Sequence, residues 1–600
     1  MRVADYIFRT LADWGVSHVF FVSGGGAMHL NDALGREKRI QYVCNLHEQA
    51  CAMAAEGYAR ISGMPGVINV TTGPGGTNAL TGVVGAWQDS IPMLVISGQV
   101  KTATTVAACP ELPLRQLGDQ ELNIVDIVRP VTKYAAMITA VDRVRPALER
   151  AWYEARSGRP GPVWLDIPLN IQAAEMTPKD LNDGFVPTGA ATPPVTEVRL
   201  AEVVAALRRA RRPVMVAGIG VRHGGAVAEL HRLAENCHIP LLTAISGVDL
   251  TASDDPWFFG RPGIMGARAA NFIMQNADLL LVLGTRMGIR MIGYAYETVA
   301  RGAYKIMVDA DAAELQKPTF CPDCLVHAEV GELLRRLNCA LPSLPESAAW
   351  LDYCRRLRRE YPVVTAEHRA RRDYVSSYVL PELLVRYGRG DEIVVTGNGS
   401  AYTSTFQAIP LRRGMRMFGN AACAAMGYGL PAAIGAAFAG RGRRVWCLTG
   451  DGSIQMNLQE LQTVKNYRLP LKIFVYNNAG YLSIKLTQKA FFNGNFVGSE
   501  AHSGIILPCL EKLAAAYGLP FFRLTHHTEA ERLLPEILAA DDPALIEVMT
   551  DPFEELGPKA ASKKLPDGTM VSAPLEDLFP FLPRPEFRQN MLIDPILEAF

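Results

Sequence analysis

The sequence lacks an excess of either charge. Its 600 residues contain 60 Lys and Arg against 60 Asp and Glu, so the formal net charge is zero. A nucleic-acid-binding protein usually carries a basic excess or a basic stripe, and we therefore expect no nucleic-acid partner. Hydrophobic residues make up 49% and charged residues 20%, which is typical of a globular protein, and this length predicts several domains.

A strongly apolar run and a secretion signal are also lacking. The first fifteen residues, MRVADYIFRTLADWG, have the pattern of an amphipathic helix rather than that of a signal peptide. One uncharged stretch, Ala421 to Gly440, consists mostly of alanine and glycine around a central proline. This composition predicts an internal turn and a packed helix rather than a membrane span. We expect a cytoplasmic protein without a membrane partner.

The eleven cysteines are scattered, which fits a reducing compartment. Cys321 and Cys324 form a CPDC pair, but no second pair accompanies them to complete the four ligands of a structural zinc site. A redox pair stays open, although a coincidence within a loop is the preferred interpretation.

Three segments of the chain alternate short apolar runs with helical patterns, at about residues 1–175, 195–340 and 375–550. A Pro/Thr-rich linker separates the first two segments, and a charged helical stretch precedes the third. This alternation predicts an α/β fold with three doubly wound parallel-sheet domains. Residues 551–600, rich in proline and charge, are expected to form a C-terminal tail on the surface.

Two runs of the third segment, Arg444 to Gly450 and Leu471 to Tyr476, predict buried parallel strands. Between them Leu458, Leu461 and Val464 recur at helical spacing, which predicts a crossover helix. The two strands then point the same way in one sheet.

Polar residues follow both of these strands. Asp451 and Asn477–Asn478 come just past the strand ends, where open α/β sheets bind ligands. Gly450, Gly452 and Gly480 allow close approach of the backbone. A carboxylate and an amide oxygen suit Mg²⁺, which completes its octahedron with phosphate and water. The alternative is a helix-capping Asp and an Asn-Asn turn, but the full spacing favours the metal.

In the first segment Asn45 and Glu48 allow two interpretations. They have the spacing of a capping box with Asn45 as the cap, and Glu48 could equally lie at a pocket edge for proton transfer. The glycine-rich turn Thr71 to Leu80 could bind an anion on its backbone N–H groups. It has no P-loop lysine, so no nucleoside triphosphate site is predicted there.

In the middle segment, Arg286 and Arg290 follow one strand, and the VDAD sequence from Val308 to Asp311 closes the next strand. Together they could hold a phosphate and a ribose. The alternative is ordinary surface charge.

These motifs together resemble the thiamine-diphosphate enzymes, and among them the acetohydroxyacid synthase group. The resemblance spans the whole chain and rests on HEQACAMAAEGYAR, GPGGTN, DSIPMLVISGQV, MGYGLPAAIGA and the GDG…NN pair. It implies pyrimidine-binding, central and diphosphate-binding domains, small-molecule substrates, and a homodimer or homotetramer with active sites between subunits.

The resemblance also implies roles for single residues. Asp451, Asn478 and the carbonyl of Gly480 would hold Mg²⁺, and Glu48 would hydrogen-bond the aminopyrimidine ring of the cofactor. The bulky Met426 would hold the cofactor bent. The implied cofactor-binding residues are Asn398, Ser400, Met426, Gly450, Asp451, Gly452, Ser453, Asn478 and Gly480. Gln120 and His47 are further catalytic candidates that could contact intermediates, and either could instead be structural.

Bound FAD is implied for the central domain, although carboligation transfers no net electrons to it. Arg286, Asp309 and Asp311 match the FAD site of the group, and Pro262 to Gly266 resembles a second part of that site.

The chain also departs from the group near the predicted acceptor. Gly288 and Ile289 stand where the synthases carry two acids before the second arginine, here Arg290, and their acceptor-selecting tryptophan falls near Thr487. A small residue there leaves less apolar contact for choosing a small keto acid. The loop Leu117 to Tyr134 and the tail differ as well. This combination resembles the YerE-type carboligases of branched deoxysugar biosynthesis.

We therefore expect a carboligase that decarboxylates pyruvate and transfers the acetyl unit to a ketone, such as that of a nucleotide-linked keto-sugar. Arg290 is a candidate for holding a carboxylate or phosphate of the acceptor. Two alternatives are an acetolactate synthase that condenses two pyruvates and a flavin-dependent pyruvate oxidase. A regulatory subunit without turnover is a third, against which the intact Glu48 and metal pair argue.

Overall fold

The computed structural model describes residues 1–188, 192–565 and 567–596. Three parallel β-sheets with helices on both faces dominate it, and the predicted α/β fold is confirmed. Within these ranges no helix combines the length and the apolar character that a membrane crossing requires. The exact domain boundaries near residues 175, 195, 340, 375 and 550 stay predictions.

The first sheet has six strands in the order β2-β1-β3-β4-β6-β5. The strands are β1 His18–Phe21, β2 Gln41–Cys44, β3 Gly66–Val70, β4 Met93–Gln99, β5 Tyr134–Met137 and β6 Pro162–Pro168. The helices are α1 Val3–Asp13, α2 Met28–Arg36, α3 Glu48–Ser62, α4 Pro74–Asp89, α5 Ile124–Val128, α6 Val144–Arg156 and α7 Leu169–Ala173. Strand β4 contributes to a hydrophobic core on each face of the sheet. Leu94 and Ile96 pack into one core, and Met93 and Val95 pack into the other, as expected of a sheet covered by helices on both faces.

The second sheet has five strands in the order β11-β10-β9-β7-β8. The strands are β7 Pro213–Ala217, β8 Leu241–Thr243, β9 Leu279–Leu283, β10 Tyr304–Asp309 and β11 Cys324–His327. The helices are α8 Glu197–Arg209, α9 Ile219–His223, α10 Val227–Cys237, α11 Arg268–Gln275, α12 Ile289–Ile292, α13 Ala312–Leu315 and α14 Val330–Ala340. Two further helices, α15 Ala348–Glu360 and α16 Ala366–Ala370, lead to the third sheet.

The third sheet has six strands in the order β13-β12-β14-β15-β17-β16. The strands are β12 Ile393–Thr396, β13 Arg416–Gly419, β14 Val445–Gly450, β15 Leu471–Asn477, β16 Phe521–Leu524 and β17 Ala544–Met549. The helices are α17 Val379–Tyr387, α18 Gly399–Ala408, α19 Gly429–Ala439, α20 Glu460–Tyr467, α21 Leu482–Phe491, α22 Leu510–Ala516 and α23 His527–Ala539. The predicted β14–α20–β15 crossover is confirmed, with Gly450 paired to Tyr476 at the end of the ladder.

The tail contains an antiparallel hairpin, β18 Ser562–Lys564 and β19 Met570–Ser572, and the helix α24 Arg584–Gln589. The sequence predicts a tail laid over the surface, but the structure buries part of this tail. Leu575 and Phe587 belong to a hydrophobic core of the central sheet. The fully buried Glu576 accepts a hydrogen bond from Arg301 at 2.7 Å.

The alanine- and glycine-rich stretch after residue 420 forms a turn and then α19, as predicted. Helix α19 packs directly against α3 of the first domain through small residues. A Cβ atom on Gly435 would lie 1.8 Å from the carbonyl oxygen of Ala54, and one on Gly57 would lie 2.1 Å from that of Ala432. Glycine at both positions therefore lets the two backbones touch.

Candidate functional site

Asp451 follows the last residue of β14 and links two strand ends. Its backbone N–H still donates to the carbonyl of Tyr476, at 3.1 Å. Its Oδ1 accepts a hydrogen bond from the Gly452 N–H at 2.8 Å, and its Oδ2 accepts one from the Gly480 N–H at 3.0 Å. The carboxylate therefore joins the turn after β14 to the turn after β15, at the carboxyl edge of the third sheet.

Burial raises the pKa of Asp451 to about 6, and the amides of Gly480 and Gly452 oppose that shift. Only 3% of the residue is exposed. A buried carboxylate without a cationic hydrogen-bond partner is costly in its charged form, so a divalent cation beside it would be stabilising.

Asn478, the second predicted ligand, is also buried, and its Oδ1 has no hydrogen-bond partner among the residues that the structure describes. The Nδ2 of the same side chain lies 3.4 Å from the Oγ of Ser400, which is buried on α18. Buried amide oxygens are rarely left unpaired, because the lost hydration is not replaced. The orphaned oxygen beside Asp451 fits a hard cation such as Mg²⁺.

The turns that carry these ligands require glycine at two positions. Gly480 has a φ of +128°, and a Cβ there would lie 2.2 Å from the Ser499 carbonyl oxygen. A Cβ on Gly452 would lie 2.2 Å from the ring of Tyr481. At Gly450 the nearest atom would be 3.9 Å away, so no close approach requires glycine there.

The segment that carries Met426 is held from two sides. The Nδ2 of Asn398 donates to the Ala424 carbonyl at 3.2 Å, and the Oγ of Ser453 accepts from the Gly427 N–H at 3.1 Å. Met426 itself is half-buried. The structure thus brings Asn398, Ser453 and Met426 together near the end of β14.

Glu48 is the first residue of α3, and His47 is its N-cap. The Nδ1 of His47 accepts a hydrogen bond from the Gln49 N–H at 3.1 Å. The interpretation of Asn45 as the cap is wrong, because the Nδ2 of Asn45 instead donates to the Oε2 of Glu460 at 2.8 Å. Asn45 therefore ties the first domain to the third.

Glu48 is buried against the glycine-rich turn that opens α4. Its Oε2 accepts a hydrogen bond from the Asn78 Nδ2 at 3.0 Å. The same turn contacts the loop of Gln120, since a Cβ on Gly73 would lie 2.2 Å from the Gln120 carbonyl oxygen. Gln120 is exposed and has a φ of +58°. Glu48 and Gln120 thus both lie next to this glycine-rich turn.

A cavity of about 420 Å³ lies at the carboxyl edge of the central sheet, and Arg286 and Asp309 line it. Burial raises the pKa of Asp309 to about 6. Asp311 lies outside this cavity. Its Oδ1 caps α13 through the Ala313 N–H, and its Oδ2 accepts from Arg159 at 3.0 Å.

Arg290 connects this cavity to a second one. It also lines a pocket of about 70 Å³ beside Pro262 to Met265, most of the predicted second part of the FAD site. Its guanidinium donates to the Ala421 carbonyl at 3.1 Å and lies 5.6 Å from the ring centre of Tyr402. A Cβ on the neighbouring Gly288 would meet no atom within 4 Å.

Two residues at the site were not predicted. The buried Lys485 donates to the Asn478 carbonyl at 2.7 Å, and Asp89 accepts from the Ala421 N–H at 3.0 Å while lining the larger cavity. The sequence contains a pattern that could have pointed to each of these two residues. Lys485 stands three residues after the buried Leu482, on the same helix face, and Asp89 begins the DSIPML motif.

The comparisons agree with this geometry. Three thiamine pyrophosphate enzyme models match: the N-terminal TPP binding domain at residues 1–127, the central domain at 200–337 and the C-terminal TPP binding domain at 397–548. The chain is 33% identical over 558 residues to acetolactate synthase isozyme 1 large subunit of Escherichia coli, covering 92% of this chain and 95% of that protein.

Two other relatives are similar over nearly their whole length. Acetolactate synthase isozyme 2 large subunit of Escherichia coli is 32% identical over 96% of this chain and 100% of its own length. Acetolactate synthase large subunit of Lactococcus lactis is 30% identical over 92% of this chain and 93% of its own length. The predicted resemblance is confirmed, and the chain belongs to the acetolactate synthase group of thiamine pyrophosphate enzymes, carboligases that use thiamine diphosphate with Mg²⁺ and often FAD.

Proposed function

We propose that this protein decarboxylates pyruvate and transfers the acetyl unit to a ketone acceptor, such as that of a nucleotide-linked keto-sugar. The observation that carries the proposal is the small side chain at the acceptor-selecting position. Thr487 is exposed on α21, where the resemblance places the tryptophan of the synthases. A wider site loses the apolar contacts that would select a small keto acid.

Asp451, Asn478 and the Gly480 carbonyl are proposed to hold Mg²⁺, and Ser400 and Asn398 to contact the diphosphate. The orphaned Oδ1 of Asn478 and the buried carboxylate of Asp451 support this assignment. Met426 would fix the bend of the cofactor, because Asn398 and Ser453 hold its segment in place.

Glu48 is proposed as the group that exchanges a proton with the aminopyrimidine. Thiamine diphosphate supplies the electron sink for decarboxylation, and the protein supplies orientation and proton transfer. Asn78 fixes the Glu48 carboxylate by a hydrogen bond to Oε2. His47 and Gln120, at the same turn, are proposed to contact the reacting groups.

We further propose a cytoplasmic homodimer or homotetramer with active sites between subunits. The Glu48 side chain is hydrogen-bonded within the first domain, whereas that of Asp451 is hydrogen-bonded within the third. Apolar side chains are exposed beside both, at Leu46 before α3 and at Ile484 and Phe491 on α21. Pairing two chains would cover these residues and complete each site.

Arg286 and Asp309 are proposed to bind a phosphate and a ribose of FAD in the larger cavity. Both residues line it, and a carboxylate in a sheet-edge crevice suits ribose hydroxyls. Asp311 would act indirectly, since its N–H donates to the Oδ1 of Asp309 at 2.9 Å.

The experiment that tests the function supplies thiamine diphosphate, Mg²⁺ and labelled pyruvate, with and without a ketone that carries no acid. A labelled tertiary alcohol would support the proposal. Acetolactate as the only product, unchanged by the ketone, would favour the acetolactate synthase alternative, which the names of the relatives and the retained Arg290 support. Flavin reduction by pyruvate without an acceptor would favour the oxidase alternative.

A further inference from the structure

A groove lies between the central domain and the third domain, next to the segment Pro262 to Gly266 but not lined by it. It consists of two adjoining cavities of about 310 and 610 Å³ that share Ser253, Arg358, Arg369 and Pro410 among their lining residues. Neither cavity is lined by any of the residues assigned above to thiamine diphosphate, Mg²⁺ or FAD.

Arg261 lines this groove and is buried without a carboxylate partner. Only 4% of the residue is exposed, and its Nη1 donates to the carbonyls of Phe406 and Ile409, both at 3.2 Å. Within the described part of the chain its Nε has no hydrogen-bond partner, and its Nη2 reaches only the Ser253 Oγ, at 3.4 Å. Burial of an uncompensated charge is unfavourable, and an anion in the groove would relieve it.

Two further arginines of the groove form no ion pair with any residue that the structure describes. Arg358 donates only to the carbonyls of Phe258, at 2.7 Å, and Ser253, at 2.5 Å. Among the described residues, Arg412 has no carboxylate within ion-pair distance. Arg369, by contrast, is paired with Glu382.

The balance of charge in the groove is positive. Its lining residues include five arginines and two acids: Arg261, Arg358, Arg369, Arg386, Arg412, Asp254 and Glu382. Phe258, Tyr361 and Pro362 are among the residues that line its smaller cavity. Guanidinium groups bind phosphates through paired N–H donors, and aromatic and proline faces suit a planar ring.

We propose that this groove is a second ligand site, which binds a nucleoside diphosphate with its phosphates against Arg358 and Arg412 and its ring in the smaller cavity beside Phe258 and Tyr361. Arg261 supplies a fixed positive charge beneath the phosphates. The proposal is independent of the ketone-carboligase function, because binding in the groove is measured without turnover.

The test uses holoenzyme saturated with thiamine diphosphate, Mg²⁺ and FAD, so that the cofactor sites are filled. Isothermal titration calorimetry with ADP, pyrophosphate and adenosine is the measurement. We expect one ADP per chain, weaker binding of pyrophosphate, and no binding of adenosine. Arg358→Gln and Arg412→Gln should each weaken ADP binding by about tenfold, because each removes a charge-assisted contact.

Arg413→Gln is the matched control, since this neighbour is exposed and does not line the groove. It should leave ADP affinity unchanged. No binding of ADP at millimolar concentration, or equal affinity in the wild type and both groove variants, would overturn the proposal. If ADP bound no more tightly than pyrophosphate, the proposed contact of the ring with the smaller cavity would be wrong. Thermal melting of each variant checks its fold. Arg261 is not substituted, because replacing this buried side chain would leave a cavity and destabilise the fold.

Discussion

The ammonium group of Lys485 donates a 2.7 Å hydrogen bond to the backbone carbonyl of Asn478, and both residues are buried. The lysine also lies over the ring of Phe553, at 4.9 Å from its centre. A buried cation is costly to keep, and this one contacts Asn478, a proposed metal ligand, directly. Its position would place a positive charge near the proposed diphosphate-binding residues.

Lys485→Met should therefore weaken the affinity for thiamine diphosphate by about tenfold, because the variant removes that charge and its hydrogen bond to Asn478. Titration of the apo protein with the cofactor at fixed Mg²⁺, followed by fluorescence, measures the effect. Lys489→Met is the control, since Lys489 is exposed and lies over the same Phe553 ring, at 5.5 Å. Equal affinity in both variants would show that Lys485 has no role in holding the cofactor.

Gly480→Ala should destabilise the turn after β15. The added Cβ would lie 2.2 Å from the Ser499 carbonyl, in a backbone conformation that alanine rarely adopts. Since the Gly480 N–H binds Asp451, we expect more than a tenfold loss of Mg²⁺-dependent cofactor affinity. Gly442→Ala, at a φ of +84° but with no atom within 4 Å, controls for backbone strain alone. Full cofactor affinity in Gly480→Ala would contradict the proposed metal turn.

Glu48→Gln should lower kcat by about 100-fold or more, because the amide keeps the shape of the side chain but cannot exchange a proton. The hydrogen bond from Asn78 to Oε2 can be kept by the amide oxygen, so the fold and cofactor affinity should change little. Steady-state CO₂ release from pyruvate at saturating thiamine diphosphate is the measurement. A variant that keeps more than a tenth of the wild-type kcat would refute the proton-transfer role.

Asp166 of β6 gives a pH-dependent contribution to stability. Burial raises its pKa to about 7, against the hydrogen bonds from Ser97 and Gln99. Because the folded-state pKa lies above the unfolded value, the contribution is fully present below about pH 4 and is lost as pH rises through 7. The cost of charging it in the fold reaches about 4 kcal/mol.

The melting temperature of Asp166→Asn should therefore rise relative to the wild type between pH 5 and pH 8, since the amide cannot become charged. Differential scanning fluorimetry across this range measures the difference. Asp567→Asn is the control, since a hydrogen bond from the Thr569 N–H lowers the pKa of this exposed carboxyl, and its difference from the wild type should not change with pH in this range. A constant difference for Asp166→Asn would mean that its carboxyl does not titrate in this range.

Thr487→Trp tests the acceptor site. An indole at this exposed position would fill space beside the proposed acceptor, so the rate with a bulky ketone should fall by about tenfold or more. The rate of CO₂ release from pyruvate alone should stay within about twofold of the wild type, since Thr487 touches none of the proposed proton-transfer groups. Product analysis by mass spectrometry reports both rates. An unchanged rate with the bulky ketone would show that Thr487 does not influence which acceptor is used.

Most of the fold follows from local sequence patterns. Buried parallel strands such as β7 and β9 are continuous apolar runs, which a sequence shows directly. Strands β1, β11 and β16 are only four residues long and mix polar with apolar residues, and the equally short β5 contains two alanines, so no local pattern predicts them. Strands β5, β11 and β16 pair at the edges of their sheets, whereas β1 lies between β2 and β3.

The neighbourhood of Asp451 and Asn478, the proposed metal ligands, could be predicted because both follow strands that end at one sheet edge. The role of Asn45 could not, since its partner Glu460 stands 415 residues further along the chain. The capping interpretation of Asn45 rests on spacing alone, and only the tertiary structure shows that His47 occupies the cap. The direction of Asp311, away from the cavity, depends equally on the distant Arg159.

The backbone contact between α3 and α19 has a consequence for motion. Two helices whose main chains touch at Gly57 and Gly435 cannot slide or separate without opening a void that no side chain fills. The first and third domains of one chain are therefore held together at this contact. Access of cofactor and substrate then depends on the surrounding loops rather than on a hinge between these two domains.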